Sequence, residues 1–325
     1  MSQVLVTGAG GFVGRELVHR LLLQPSLRQL VAVDQRLDTA EAPWLGDERV
    51  VRLEGDFGST ALLEQALAQP PDLVFHLASV PGSLAEREPE LGTRVNLDAS
   101  LELLQRLAQQ GPGGGGKVPR VVFASSVAVY GPLDPKGTAS EATPARPVLS
   151  YGAHKLMTEI LLADLSRRGQ LDGVSLRLPG IVARPLSPTG HGSAFMSDLI
   201  RRLKAGEAYD CPVGPQARAW WMSLPCCVDN LLHAARLGAE RLPPGRVVQL
   251  PVITAMVSEV VWAIESSRGG KRADICYRLD GPLEPHFGRY PLLETPAARA
   301  LGFVDDGSLL NLIERATACD PVPAQ

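Results

Sequence analysis

The chain has 325 residues, 45% hydrophobic and 21% charged, which is apolar material enough for a large buried core and excludes a disordered or fibrous protein. Its 32 basic and 35 acidic residues leave a formal charge of -3, so no electrostatic footprint for nucleic acid is present. The longest apolar runs, such as Leu21 to Leu23 and Met256 to Ile264, fall short of the roughly 20 residues a membrane span needs, so no membrane partner is expected. Met1 to Thr7 lacks the pattern of a secretory signal, which leaves the cytoplasm as the expected location. Five cysteines (Cys211, Cys226, Cys227, Cys276, Cys319) form no Cys-x-x-Cys pair; free thiols, mostly packing, are expected, with no disulfide framework and no metal site.

In chain order, a strand-like Val4 to Val6 leads to a helix-like Arg15 to Leu23, then to strand-like Leu30 to Val33, helix-like Thr60 to Ala68 and strand-like Leu73 to Leu77. The helix-like Arg94 to Gln109, the strand-like Arg120 to Ala124, the helix-like Tyr151 to Arg167 and the strand-like Val174 to Leu178 continue the series. Such alternation predicts βαβ units and an α/β fold, a Rossmann-type doubly wound parallel sheet. Gly111 to Gly116 is too rich in glycine and proline to pack and reads as a connecting loop. After Gly180 the alternation fades and prolines recur, which predicts a smaller substrate-binding region over residues 183–224 and 251–325. The first domain, residues 1–182, is then completed by about 225–250.

The first strand runs into Thr7-Gly8-Ala9-Gly10-Gly11-Phe12-Val13-Gly14 and then a helix. Glycines there let backbone N–H groups and a helix N-terminus approach a pyrophosphate, so Gly8, Gly11, Phe12, Val13 and Gly14 are expected to hold a dinucleotide. The spacing is G-x-x-G-x-x-G, since Val13 stands where G-x-G-x-x-G needs its last glycine. Asp34, 20 residues past Gly14 at the end of the second strand, is placed to accept hydrogen bonds from ribose hydroxyls and to repel a 2′-phosphate. NAD is therefore expected, although Arg36 keeps NADP open. Asp56, beside Phe57, either reaches the adenine amino group or caps the helix before Ser59.

Tyr151 and Lys155 lie one helical turn apart on one face, a pairing that chance yields about 0.08 times in a chain with five of each residue. An ordinary tyrosine is a poor base at neutral pH, whereas a neighbouring ammonium favours the phenolate. Ser125 and Ser126 end an apolar strand, where open α/β sheets bind ligands; each either bonds a reacting oxygen or caps the turn.

Together, T-G-x-x-G-x-x-G, His76-Leu77-Ala78, Val95-Asn96, Ser125-Ser126 with Tyr130-Gly131, and Tyr151-x-x-x-Lys155 resemble the extended short-chain dehydrogenase/reductase family over about residues 1 to 182. In its epimerase-like branch the catalytic serine stands 25 residues before the tyrosine, which points to Ser126. The resemblance implies Tyr151 as base, Ser126 and Asn96 assisting, and Lys155 holding ribose and phenolate. It also implies that Leu77, Ala78, Ser79, Asn96, Pro179, Ile181 and Val182 contact the cofactor. Val95-Asn96-Leu97-Asp98, Ser150 to Lys155, Leu176 to Pro179, Cys211-Pro212-Val213 and Leu232 to Ala235 resemble a sugar-acid-oxidising branch through about residue 237.

That narrower resemblance implies NAD-dependent oxidation at C2 of a small acid such as D-erythronate by a homodimer, joined through helices near 94–109 and 151–167. Beside Ser79, Ser125, Ser126 and Tyr151, the cations Arg184, His191 and Arg218 are candidate substrate contacts, since a carboxylate needs an N–H-rich anchor. Residues 183–192 depart from the branch, and Trp220-Trp221 reads as core rather than as a substrate platform. His76 reads as a satisfied core residue and His154 as facing away from Tyr151. Two rivals remain: a nucleotide-sugar epimerase or dehydratase, whose usual motif Arg218 to Ser223 does not match, and a non-catalytic dinucleotide sensor, which often lacks the tyrosine or the lysine.

Overall fold

The computed structural model describes residues 3–39, 42–111, 117–185, 193–281 and 287–318. The chain divides into two compact units. The first comprises Met1–Val129, Pro147–Arg177 and Leu231–Val248, and the second Tyr130–Arg146, Leu178–Asn230 and Gln249–Gln325.

The first unit begins with β1 (Gln3–Thr7), α1 (Phe12–Leu22), β2 (Gln29–Asp34), β3 (Val50–Glu54), α2 (Thr60–Ala66) and β4 (Leu73–His76). Two short helices follow, α3 (Gly82–Arg87) and α4 (Pro89–Gly92), then a π-helical turn over Thr93–Asp98 and α5 (Ala99–Gln110). Next come β5 (Arg120–Ser126), α6 (Ser150–Arg167) and β7 (Asp172–Leu178), while β6 (Thr138–Ser140), between β5 and α6 in the chain, belongs to the second unit and not to the sheet of the first. With β11 (Val247–Gln249), these strands form a seven-stranded sheet in the order β11-β7-β5-β4-β1-β2-β3. The chain walks outward from β1 to β3 and returns to the other side of β1, so the winding reverses between β1 and β4. Thr7 and His76 are register partners at the carboxyl ends of those two parallel strands. In open sheets of this kind the crevice beyond such a switch point takes the ligand.

Continuous apolar strands need cover on both faces. Leu5, Val31, Val33, Val74, Val121 and Phe123 pack with Leu62 and Leu63 of α2, Leu103, Leu104 and Leu107 of α5, and Leu162 and Leu165 of α6. On α1, Gly14, Leu17, Val18 and Leu21 are buried at spacings of three and four, the stripe one helical face presents. Arg120 donates to Asp172 at 2.5 Å and to the carbonyls of Ala234 and Leu237, tying the returning chain to this sheet. The helix expected from Arg94 opens instead as the π-helical turn, which turns Asn96 inward to bond the backbone of Val80 through both its N–H and its carbonyl. Of the loop expected at Gly111 to Gly116, only Gly111 lies within the described residues.

The second unit contains β8 (Gly180–Val182), α7 (Ala194–Ala205), β9 (Tyr209–Cys211), β10 (Arg218–Ser223), α8 (Leu224–Arg236, continuing into the first unit), β12 (Ile253–Met256), α9 (Val257–Ser267), β13 (Ile275–Tyr277) and β14 (Leu292–Glu294). Its strands form a three-stranded sheet, β12-β10-β8, and two parallel pairs, β13-β9 and β14-β6. Its core joins Phe195, Leu199 and Ile200 of α7, Val257, Val260 and Ile264 of α9, and Leu312 and Ile313 of the helix Leu309–Ala318. Trp220 and Trp221 are fully buried, and their indole N–H groups donate to the carbonyls of Pro291 (2.8 Å) and Ala255 (3.1 Å). They are core residues, as the sequence suggested.

Cys211, Cys226 and Cys227 are buried and in no disulfide, and burial holds the thiol of Cys227 up at about 12. Cys276 is free and exposed, while Cys319 lies outside the described residues. Among the described residues no helix is long and apolar enough to cross a membrane.

Candidate active site

The turn between β1 and α1 sits at the switch point. Gly8 has φ 73°, a left-handed conformation that L side chains rarely adopt. A Cβ at Gly14 would lie 2.0 Å from the Gly8 carbonyl oxygen, so α1 can start this close to the strand only with glycine there. The helix begins at Phe12, earlier than the Arg15 start the sequence suggested, with Gly11 as its cap. That places Phe12 and Val13 in the first turn. Asp34 ends β2 and accepts hydrogen bonds from the backbone N–H of Gly10 (2.9 Å) and of Gln35 (2.7 Å). Gly10 was not among the expected cofactor residues, yet its N–H ties the glycine turn to the acidic residue; the doublet Gly10-Gly11 was the available signal.

This cradle fits a dinucleotide: a glycine turn that side chains would fill, an open helix N-terminus, and a carboxylate beside it. Arg36, the feature that left NADP open, is exposed and paired with Asp38 at 3.1 Å. Asp56 accepts from Gly58 N–H at 2.9 Å and from Arg94, and the helix cap is Ser59, so Asp56 is a turn acceptor rather than a cap. Phe57 is buried against His76, with ring centroids 5.3 Å apart. Ala78 N–H donates to the Thr7 hydroxyl at 3.3 Å and the Ser79 hydroxyl to the Val80 carbonyl at 3.3 Å, so the segment after β4 that includes Leu77 runs beside the glycine turn.

Ser126 ends β5, and its hydroxyl accepts the N–H of Ala128 at 3.1 Å. Tyr151 is half-buried in the first turn of α6, and Lys155, one turn on, is buried. The ammonium lies 5.5 Å from the centroid of the Tyr151 ring and 4.8 Å from that of Phe123. Burial lowers the pKa of Lys155, against the opposing pull of Tyr151 and Glu159. Gly152 lets α6 come this near: a Cβ there would lie 2.3 Å from the carbonyl oxygen of Ala128. Ser126, Tyr151 and Lys155 thus belong to one tightly packed junction of strand end and helix start, with Asn96 buried in the same unit.

Two buried contacts behind this junction were not legible in the sequence. His76 bonds the Thr7 hydroxyl (2.7 Å) through Nδ1 and the Ser100 hydroxyl (2.9 Å) through Nε2. Burial and the nearby Lys155 charge keep it neutral, with its pKa down at about 3. It is the satisfied core residue expected. Ser125 donates to Glu159 at 2.5 Å, and Glu159 also receives Nε (3.0 Å) and Nη2 (2.7 Å) of Arg177. Ser125 is thereby turned into the interior, away from the side of the strand end where Ser126 bonds Ala128. His154 is buried, and its Nδ1 has no hydrogen-bond partner.

The remaining expected site residues belong to the second unit. Pro179, Ile181 and Val182 are buried in or before β8. Arg184 donates its backbone N–H to Ser197 at 3.0 Å, and its carbonyl accepts from Arg201. Arg218 starts β10, its backbone held by Gly288 (2.7 Å) and Tyr290 (3.0 Å). His191 lies outside the described residues. Among the described residues no cluster of His, Cys, Asp and Glu could hold a metal ion.

Residues 4–222 match the NAD dependent epimerase/dehydratase family. A D-erythronate dehydrogenase of Cupriavidus necator is 38% identical over 317 residues, 95% of this chain and 96% of that protein. A D-erythronate dehydrogenase of Haemophilus influenzae is 31% identical over 96% of this chain and 98% of its own length. The crystal structure of the nucleoside-diphosphate-sugar epimerase from Agrobacterium tumefaciens superposes with a TM-score of 0.88 at 30% identity, covering 97% of this chain and 93% of that one. Dehydrogenase relatives over nearly the full length, together with the matched family, make the protein an NAD-dependent oxidoreductase of the short-chain type. A glycine turn at the switch point, a tyrosine and lysine one turn apart and a match across two thirds of its length place the chain in the NAD dependent epimerase/dehydratase family.

Proposed function

We propose that the protein oxidises the C2 hydroxyl of a small sugar acid, D-erythronate first among them, to the 2-oxo acid. The observation that carries this is Lys155: a buried ammonium against the Tyr151 ring that, among the described residues, no carboxylate pairs with. A buried cation left in that state suits a site that completes it with a ligand. Bound NAD supplies the hydride acceptor. Tyr151, as phenolate, takes the proton of the C2 hydroxyl while Ser126 donates a hydrogen bond to the same oxygen, and the C2 hydrogen leaves as hydride. Asn96 keeps the π-helical turn in place through Val80. In this reading Arg184, Arg218 and His191 are the cations offered to the acid's carboxylate.

The test is NADH formation with a panel of four- to six-carbon aldonates, D-erythronate and L-threonate included. Conversion of nucleotide sugars without net NADH, and no turnover of any acid, would replace this reading by the epimerase one, which the Agrobacterium likeness favours. Asp34→Ala should weaken kcat/KM for NAD by about 10- to 100-fold, the worth of roughly 1.5–3 kcal/mol for hydrogen bonds to a charged group, and spare NADP by comparison. Equal losses with both cofactors would remove Asp34 from the ribose.

The protein also acts as a homodimer in this proposal, in the cytoplasm. Met157 and Ile160, three residues apart on α6, are 42% and 62% exposed, an apolar pair on a long helix that water disfavours. Ile160→Glu should convert a two-chain species to one chain in light scattering with its fold intact. An unchanged mass would exclude this face.

A further inference from the structure

The junction that carries Tyr151, Lys155 and Ser126 is held from behind by one carboxylate. Glu159 lies on α6 one turn past Lys155 and is 2% exposed. It accepts the Ser125 hydroxyl from β5, the residue next to Ser126, and both Nε and Nη2 of Arg177 from β7. A single side chain thus binds the catalytic helix to two strands of the sheet, through charge-assisted bonds in a dry interior. Side chains of this kind cost desolvation, and a pair of well-packed apolar residues would hold the same elements at least as stably.

What apolar residues would not supply is negative charge. The titratable groups whose charge bears on Lys155 are Tyr151 and Glu159 on its own helix and His76 on β4. His76 is neutral, and the guanidinium of Arg177 is a like charge that the Glu159 carboxylate neutralises.

We propose that Glu159 is a positioning residue for the oxidation: its buried carboxylate keeps Lys155 an ammonium and, through Ser125 and Arg177, fixes α6 against the strand that presents Ser126. The opposing pull of Glu159 on the burial-lowered Lys155 agrees in direction. The inference rests on the roles of Tyr151 and Lys155 given above. Removal of the charge takes away the carboxylate that opposes burial at Lys155, so the amine gives up its proton more readily.

The experiment follows the ε-methylene signals of protein labelled with carbon-13 lysine through a pH titration, with the Lys155 signal assigned by its absence in Lys155→Arg. In Glu159→Gln the Lys155 midpoint is expected to move to lower pH, and kcat to fall at least tenfold with a smaller change in KM. Glu159→Asp restores the charge and is expected to return the midpoint toward wild type. Should Glu159→Gln fail to fold, the double variant Glu159→Leu, Arg177→Leu removes both charges, and its Lys155 midpoint is expected to lie below wild type, since Glu159 is the member of the pair on the lysine's own helix. A Lys155 midpoint equal to wild type in the folded single or double variant would overturn the proposal. The titration needs no turnover, so an active Tyr151→Phe enzyme would refute the catalytic reading while leaving the charge relation between Glu159 and Lys155 separately measured.

Discussion

Tyr151→Phe is expected to reduce kcat for sugar-acid oxidation by about 10²- to 10⁴-fold, the range that a positioned acid or base supplies. The substitution removes one oxygen and keeps the ring, so the half-buried start of α6 retains its packing and the 5.5 Å approach of Lys155 to the ring is preserved. NAD affinity should accordingly stay within a few-fold of wild type, and circular dichroism should be unchanged. Lys155→Met is expected to behave differently: it removes a buried cation whose contact with the Phe123 ring is also structural, so both kcat and NAD affinity should fall. The comparison separates a proton acceptor from a residue that organises the site. A Tyr151→Phe enzyme within tenfold of wild type would remove the phenol from the chemistry.

The glycine turn, Asp34 and the tyrosine–lysine pair are legible along the chain because each is local: a turn, a strand end, one turn of helix. The sheet is legible for the same reason, since a strand buried on both faces must be a continuous apolar run. Other features are made by topology. Ser125 and Glu159 stand 34 residues apart, and Glu159 and Arg177 a further 18, and only the adjacency of β5 and β7 beneath α6 brings the three together. Nothing in the sequence near Ser125 said that one serine of the pair turns inward. The π-helical turn was hidden because no residue from Thr93 to Asp98 marks a wider turn, and that turn answers to a partner, the Val80 backbone, 16 residues from Asn96. Asp56 stayed ambiguous between a helix cap and an adenine contact; the structure gives it a turn role that neither reading named, on Gly58 N–H and Arg94.

Gly14→Ala should abolish measurable NAD binding, whereas Gly11→Ala should only weaken it. The added methyl at Gly14 would lie 2.0 Å from the Gly8 carbonyl oxygen and 2.9 Å from both the Cα and the carbonyl oxygen of Ala9. All three are backbone atoms, so no side chain can swing away. Relief requires α1 to withdraw from β1, which opens the turn whose N–H groups face the pyrophosphate and carries Gly10 away from Asp34. At Gly11 the single close neighbour is the Gly8 carbonyl oxygen at 3.2 Å, a contact that a few tenths of an ångström would ease. Overpacking of the Gly14 kind costs about 1–3 kcal/mol, so the variant should remain folded with a lower Tm. The diagnostic quantity is the rise in Tm on adding NAD, which reports binding to the folded state by mass action. It should be absent in Gly14→Ala, reduced in Gly11→Ala and full in Tyr151→Phe. A full NAD-induced rise in Gly14→Ala would mean that the dinucleotide does not depend on the close approach of α1 to β1, and would move the cofactor site away from this turn.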